Sequence, residues 1–196
     1  MDTKGSIFVW VALGTLVIAG LYLWLVNPEV VVARIRFHRG TKLWDKILLC
    51  FFLPAVYAVF IVGALDAGRF HWLALPWWLC GVGFVLFPVG VGIFTWAEAV
   101  NKFFEVTVRI QKDRGHQVID TGPYAIVRHP GYIGAMLFLL GAALGFGSLW
   151  ALIPAGLASA LLLLRTRWED QTLQAELPGY KDYAQRIRYR LIPGVW

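Results

Sequence analysis

Four stretches of the chain carry no charged residue: 7–26, 47–65, 75–97 and 133–164. The first three are 20, 19 and 23 residues long. At about 1.5 Å per residue, each makes a helix able to cross a hydrocarbon core about 30 Å thick. The first is longer than the apolar core of a signal peptide, and no small-x-small cleavage site follows it, so it is expected to be a retained span. The fourth stretch has 32 residues, about 48 Å as a helix, which is too long for one crossing. Gly145-Phe146-Gly147-Ser148 lies near its middle and reads as a turn. The pattern therefore predicts a hairpin of two short helices over 130–164, the first beginning near Pro130.

The placement of Lys and Arg orients these elements. The segments outside the stretches hold one, five, one, five, none and six cations from the N-terminus to the C-terminus. With five spans the rich segments (27–46, 98–132 and 165–196) share one side. With four, the six-cation tail crosses to the poor side. The positive-inside rule thus selects five spans, N-terminus out and C-terminus cytoplasmic. Trp24, Trp72, Trp77, Trp96 and Trp168 fall near span ends, as interfacial anchors do. The expected architecture is an all-α integral membrane domain. Its three N-terminal spans occupy 1–97, and 98–196 forms a cytosolic-side catalytic region that includes the hairpin. A bacterial inner membrane and the endoplasmic reticulum both fit.

Composition agrees: 59% of the residues are apolar and 15% charged, with ten Trp and a net charge of +6. Soluble domains average about 45–50% and about 25%. The basic balance belongs to cytoplasmic loops here, so no nucleic-acid partner is expected. Cys50 and Cys80 sit in apolar runs without a CxxC pair, and the four His lack helix-facing spacing, so no metal site is expected. No P-loop, HExxH or nucleophile elbow occurs. The first three spans hold no ionisable residue, which disfavours a proton-coupled transporter.

The charge that remains concentrates in 98–132 and 165–196, with 8 of the 12 acids and 11 of the 18 bases. In the first segment, Gly122-Pro123 marks a turn and Pro130 suits the first turn of a helix. Arg128 and His129 then sit at that helix's N-terminus, where free N–H groups and the dipole favour an anion. Tyr124 and Tyr132 can hydrogen-bond or pack on an aromatic ring. These features suit a ligand with an acidic end and a flat end; a basic stripe binding anionic lipid headgroups explains them equally well. In the second segment Arg165 and Glu169 are four apart and share a helical face, either as a surface pair or as a pair at the membrane boundary. Leu177-Pro178-Gly179-Tyr180 ends that helix, and Tyr180 and Tyr183 follow on one face. Arg186, Arg188 and Arg190 alternate with Ile187, Tyr189 and Leu191, as in a short amphipathic strand or an interfacial strip. Gly141-Ala142-Ala143-Leu144-Gly145 matches the small-xxx-small pattern of close helix packing.

The run Gly122-Pro123-Tyr124-Ala125-Ile126-Val127-Arg128-His129-Pro130-Gly131-Tyr132 before an apolar hairpin resembles the isoprenylcysteine carboxyl methyltransferase family, which is related to the phospholipid methyltransferases. So do Arg165-Thr166-Arg167-Trp168-Glu169-Asp170, Leu177-Pro178-Gly179-Tyr180-Lys181-Asp182-Tyr183 and Arg188-Tyr189-Arg190-Leu191-Ile192-Pro193-Gly194. The resemblance covers about 115–196. It implies S-adenosylmethionine as methyl donor, with S-adenosylhomocysteine as product, bound by membrane helices rather than a Rossmann sheet. It implies that His116, Gln117, Val118, Tyr124, Arg128, His129, Tyr132 and Glu169 hold the donor. Arg165 and Glu169 would be catalytic, Arg165 close to the transferring methyl. The family often has two adjacent Glu residues where this chain has Glu169-Asp170. The expected acceptor is lipophilic, above all the carboxylate of an isoprenylcysteine-like or prenylated substrate, with phospholipid amines or small thiols as alternatives. Two other readings stand beside it: a non-catalytic module binding anionic lipid or a partner, and a membrane reductase using a nicotinamide cofactor.

Overall fold

The computed structural model describes residues 3–35, 40–72 and 75–196. Arg36 and Arg39, counted in the 27–46 segment, lie outside them. The described residues form seven α-helices and no β-strand. Helices α1 (Thr3–Val26) and α3 (Leu43–Leu65) contain the first two apolar stretches, and α4 (Trp77–Val100) takes in the third from Trp77 onward. All three are long and apolar enough to cross a membrane. The expected loop after α1 carries a short helix, α2 (Pro28–Ile35), with Pro28 at its start and Glu29 in its first turn. The fourth stretch is a hairpin, as its length and glycines predict: α5 (Pro130–Gly145) turns through 146–151 into α6 (Leu152–Glu176). At 16 residues α5 is about 24 Å long, short of a full crossing. Helix α6 runs on well past the charge-free stretch. A final helix of two turns, α7 (Tyr180–Arg186), follows Pro178 and Gly179.

Lipid tails are as apolar as leucine, so helices in a bilayer gain little from transferring apolar surface and associate through close packing. Glycines provide it here. A Cβ at Gly83, Gly90, Gly134 or Gly141 would overlap the backbone of the facing helix, so α4 and α5 pack main chain against main chain. The small-xxx-small pattern at 141–145 thus reports packing. Phe8 of α1 fills the space beside Gly145 and meets Phe87 and Phe146 edge-on at 5.3 and 4.7 Å. The opposite faces of α1, α3 and α4 expose Trp10, Leu25, Phe51, Tyr57 and Val85, an apolar exterior that marks a membrane protein.

The observed helices are longer than the charge-free runs and take in buried acids that a reading of those runs missed. Asp45 lies in the first turn of α3 and Glu98 in the last turn of α4, both out of solvent. Asp66 opens a π-helical turn (Asp66–Phe70) after α3, where it accepts from Ser148 Oγ at 2.6 Å and from the Trp72 amide at 2.8 Å. That clasp ties the end of α3 to the hairpin turn.

Candidate active site

A cavity of about 520 Å³ opens where the polar segments meet the helices. One part is apolar, walled by Leu16, Leu23, Leu49, Phe52, Val56 and Phe94 from α1, α3 and α4. The other is polar. His116, Gln117, Val118, Tyr124, Arg128, His129, Tyr132, Arg165 and Glu169 all line it. Every site residue expected from the sequence therefore faces one cavity.

Their local settings differ. His129 is the residue before α5, and Pro130 supplies the first helical position, where a missing N–H costs nothing. The His129 ring stacks parallel to that of Tyr132, with centroids 5.6 Å apart. The Tyr132 hydroxyl donates to Glu169 Oε2, and Glu169 Oε1 has no protein partner among the described residues. The Arg165 guanidinium lies 5.7 Å from the Tyr132 ring. Its Nε is 2.9 Å from Asp45 Oδ1, and its Nη2 donates to Asp45 Oδ2 at 3.2 Å and to the Val106 carbonyl at 2.6 Å. Arg165 is thus paired across the fold with Asp45 rather than along its own helix with Glu169. Asp45 in turn accepts from the Val108 amide at 2.7 Å.

Arg128 and Asp170 form a different kind of cluster. Arg128 donates from Nε and Nη2 to Asp170 at 2.7 and 2.9 Å, and from Nη1 to the carbonyls of Ile187 and Arg188 at 2.7 and 2.8 Å. Asp170 also accepts from Gln174, Tyr180 and Arg190. The arginine fork read as an anion receiver is taken up by the protein itself. The alternating 186–191 run forms no strand, and Arg186, Arg188 and Tyr189 are exposed. Its Tyr189 and Arg190 carbonyls accept from the amides of Arg128 and His129, strapping the C-terminal tail over the start of α5. Burial alone would raise the Asp170 carboxyl. The His129 ring, with Nε2 3.5 Å away, and the hydrogen bonds from Arg128 and Arg190 outweigh it and hold the group far below the usual carboxylate range.

His116 accepts from the Gln111 amide through Nδ1 at 3.3 Å and packs on Phe103. Burial lowers its pKa below the ordinary value, which favours the neutral ring. With Nδ1 accepting, Nε2 carries the proton and is a donor. Tyr124 bridges Asn101 and the Ala97 carbonyl and, like the deeply placed Tyr183, is held protonated by burial.

Cavity residues that the sequence reading missed include Glu98, Asn101, Glu105, Arg109 and Gln111. The i,i+4 spacing of Glu105, Arg109 and Asp113 was the available signal; Arg109 pairs with both acids, although the segment is not a helix. Among the described residues no cluster of His, Cys, Asp and Glu is suited to a metal.

Long apolar helices leading into a polar, carboxylate-bearing cavity define the class: a membrane protein with a polar cavity beside an apolar groove. The particular family follows from comparison. Residues 78–177 match the phospholipid methyltransferase family, and the chain belongs to it, within the group related to the isoprenylcysteine carboxyl methyltransferases. The mouse Delta(14)-sterol reductase TM7SF2 is 36% identical over 86 residues, 42% of this chain and 20% of that protein. The cobalt-zinc-cadmium resistance protein CzcN of Cupriavidus metallidurans is 28% identical over 134 residues, 67% of this chain and 58% of that protein. The matches thus span a fifth and somewhat over half of these relatives' lengths.

Proposed function

We propose that the chain is an S-adenosylmethionine-dependent methyltransferase of the membrane, acting on a lipophilic acceptor that reaches the site from the bilayer. The observation that carries this is the single cavity, polar at the 116–118, 129–132 and 169 wall and apolar between α1, α3 and α4. Its volume falls within the usual range of about 300–1,000 Å³ for small-molecule sites. The polar wall fits the donor. Glu169 offers a carboxylate whose only hydrogen-bond partner among the described residues is a hydroxyl, His116 offers a neutral ring donor, and the His129–Tyr132 stack offers aromatic faces. Family membership supports the same reading. The donor, when bound, supplies a methyl group carried on a sulfonium.

The chain's own residues then position and deprotonate. Tyr132 donates to Glu169 Oε2 and fixes the carboxylate, which leaves Oε1 to accept a proton from the acceptor. For an amine that step frees the lone pair for in-line displacement, so Glu169 is the general base. Holding both reactants in line supplies much of the rate. The charge pattern favours an amine, such as a phospholipid head, because Asp45 matches the charge of Arg165 while Glu169 faces the cavity. The carboxylate of an isoprenylcysteine-like substrate is the second reading. It is favoured by Arg165 Nη1, which has no protein partner among the described residues. In this reading the polar segments lie on the cytoplasmic side, to which the α5–α6 hairpin returns the chain.

The test is transfer of radiolabelled methyl to a panel of phosphatidylethanolamines, prenylcysteines and small thiols. Label in a lipid product is expected. Absence of transfer to every acceptor, with graded salt-sensitive lipid binding in its place, would make the chain a non-catalytic module. Binding of a reduced nicotinamide cofactor instead of the donor would turn the reading to a reductase, the class named by the mouse relative.

A further inference from the structure

The acceptor's polar head can be placed from one face of α3, and what it meets there depends on a residue outside the cavity. Asp45, Leu49, Phe52 and Val56 follow one another at i, i+4, i+7 and i+11 and share a face. Leu49, Phe52 and Val56 wall the apolar groove, and Asp45 stands at its polar end behind Arg165. A hydrocarbon tail lying along this face delivers its head to Arg165. The head does not meet a lone cation. Asp45 is wholly buried, contacts Nε and Nη2 of Arg165, and is itself fixed by the Val108 amide. Arg165 therefore presents a charge-matched pair with Nη1 as its remaining donor, and the other charge on this row, Glu169, is negative.

We propose that Asp45 is a specificity-determining positioning residue. By matching Arg165 it denies a carboxylate head an unshared counter-charge, so the site prefers heads that arrive neutral or cationic. This rests on the reading of the cavity as the site of a lipophilic acceptor. A buried arginine without its partner would hold a carboxylate strongly, since both charges are out of water. The pair thus sets a preference that the groove's apolar walls cannot set, because those walls read only the tail.

The test uses two amphiphiles that differ by one charge, N-acetyl-S-farnesylcysteine and its methyl ester, binding to the full chain in detergent. The wild type is expected to bind the ester at least about tenfold more tightly, a preference of the size one buried charge can impose. Asp45→Asn keeps a carbonyl oxygen for its neighbours and is expected to reverse the order, with S-adenosylhomocysteine affinity unchanged within about threefold. Asp45→Glu keeps the charge and should keep the wild-type order. The proposal is overturned if the wild type prefers the acid, if Asp45→Asn leaves the preference unchanged, or if Asp45→Glu reverses it equally. If Asp45→Asn does not fold, the wild-type comparison and Asp45→Glu still decide. Loss of all methyl transfer in the wild type would sink the enzymatic reading, yet leave the ester preference readable.

Discussion

The hub around Asp170 and the row from Asp45 to Glu169 are built from the same materials and end in different states. Each centres on a carboxylate without solvent exposure and holds a buried arginine, Arg128 exposed at 6% and Arg165 at 5%. At the hub, Asp170 takes five hydrogen bonds, and Arg128 commits Nε, Nη1 and Nη2 to the protein. In the row, Arg165 Nη1 and Glu169 Oε1 take no protein partner among the described residues, and both residues line the cavity. A polar network that satisfies itself holds a fold together, and one with open positions can hold a ligand. The hub joins α5, α6, α7 and the C-terminal strap. The row joins the groove to the polar wall.

The largest effect should come from breaking the hub. Asp170→Ala leaves the buried Arg128 and the half-buried Arg190 without their shared counter-charge, at a cost of about 3–5 kcal/mol. Thermal unfolding in detergent should show a large drop in Tm, and activity should go with the fold. A folded, fully active Asp170→Ala protein would erase the distinction between the two clusters. Breaking the row should do the reverse. Glu169→Gln is expected to lower methyl transfer by roughly 10²–10⁴-fold, the usual range for a general base, while Tm stays near the wild-type value.

Acid sharpens the contrast in a different way. Burial depresses the His116 pKa in the folded state, so its unfolded form binds the extra proton. Stability present above about pH 6.5 therefore declines as pH falls below it. Asp170 is depressed as well, so a second loss sets in below about pH 4. A pH series of unfolding midpoints should show both limbs, and His116→Gln should remove the first alone. The smallest effect is reserved for the exposed Lys42–Glu176 pair at 2.6 Å. Lys42→Ala should change stability by less than about 1 kcal/mol and leave activity as it was.

Much of the fold was legible because apolar runs and their lengths dictate membrane helices directly. The hairpin followed from 32 residues being too many for one crossing, and the start of α5 followed from Pro130. The cavity wall was legible through the motif residues at 116–132 and 165–169, which converge as expected. Helix α2 was missed although Pro28 and Glu29 are helix-start signals, because eight residues are too few to show a period. Asp45 was missed for a deeper reason. An acid next to an apolar run looks like any residue at a membrane edge, and its partner lies 120 positions away. Arg128 lines the cavity, yet its Nε, Nη1 and Nη2 donate to the protein. Nothing in the 128–132 motif reveals that Asp170 and the Ile187 and Arg188 carbonyls take its donors.

The account's central claim is that the cavity wall at Glu169, and not the hub, holds a methyl donor. Calorimetric titration of S-adenosylhomocysteine into the purified protein tests it most directly. The account predicts saturable binding at one site, weakened at least about tenfold by Glu169→Gln and unchanged by Lys42→Ala. A wild-type protein that is folded and takes up no S-adenosylhomocysteine would contradict it.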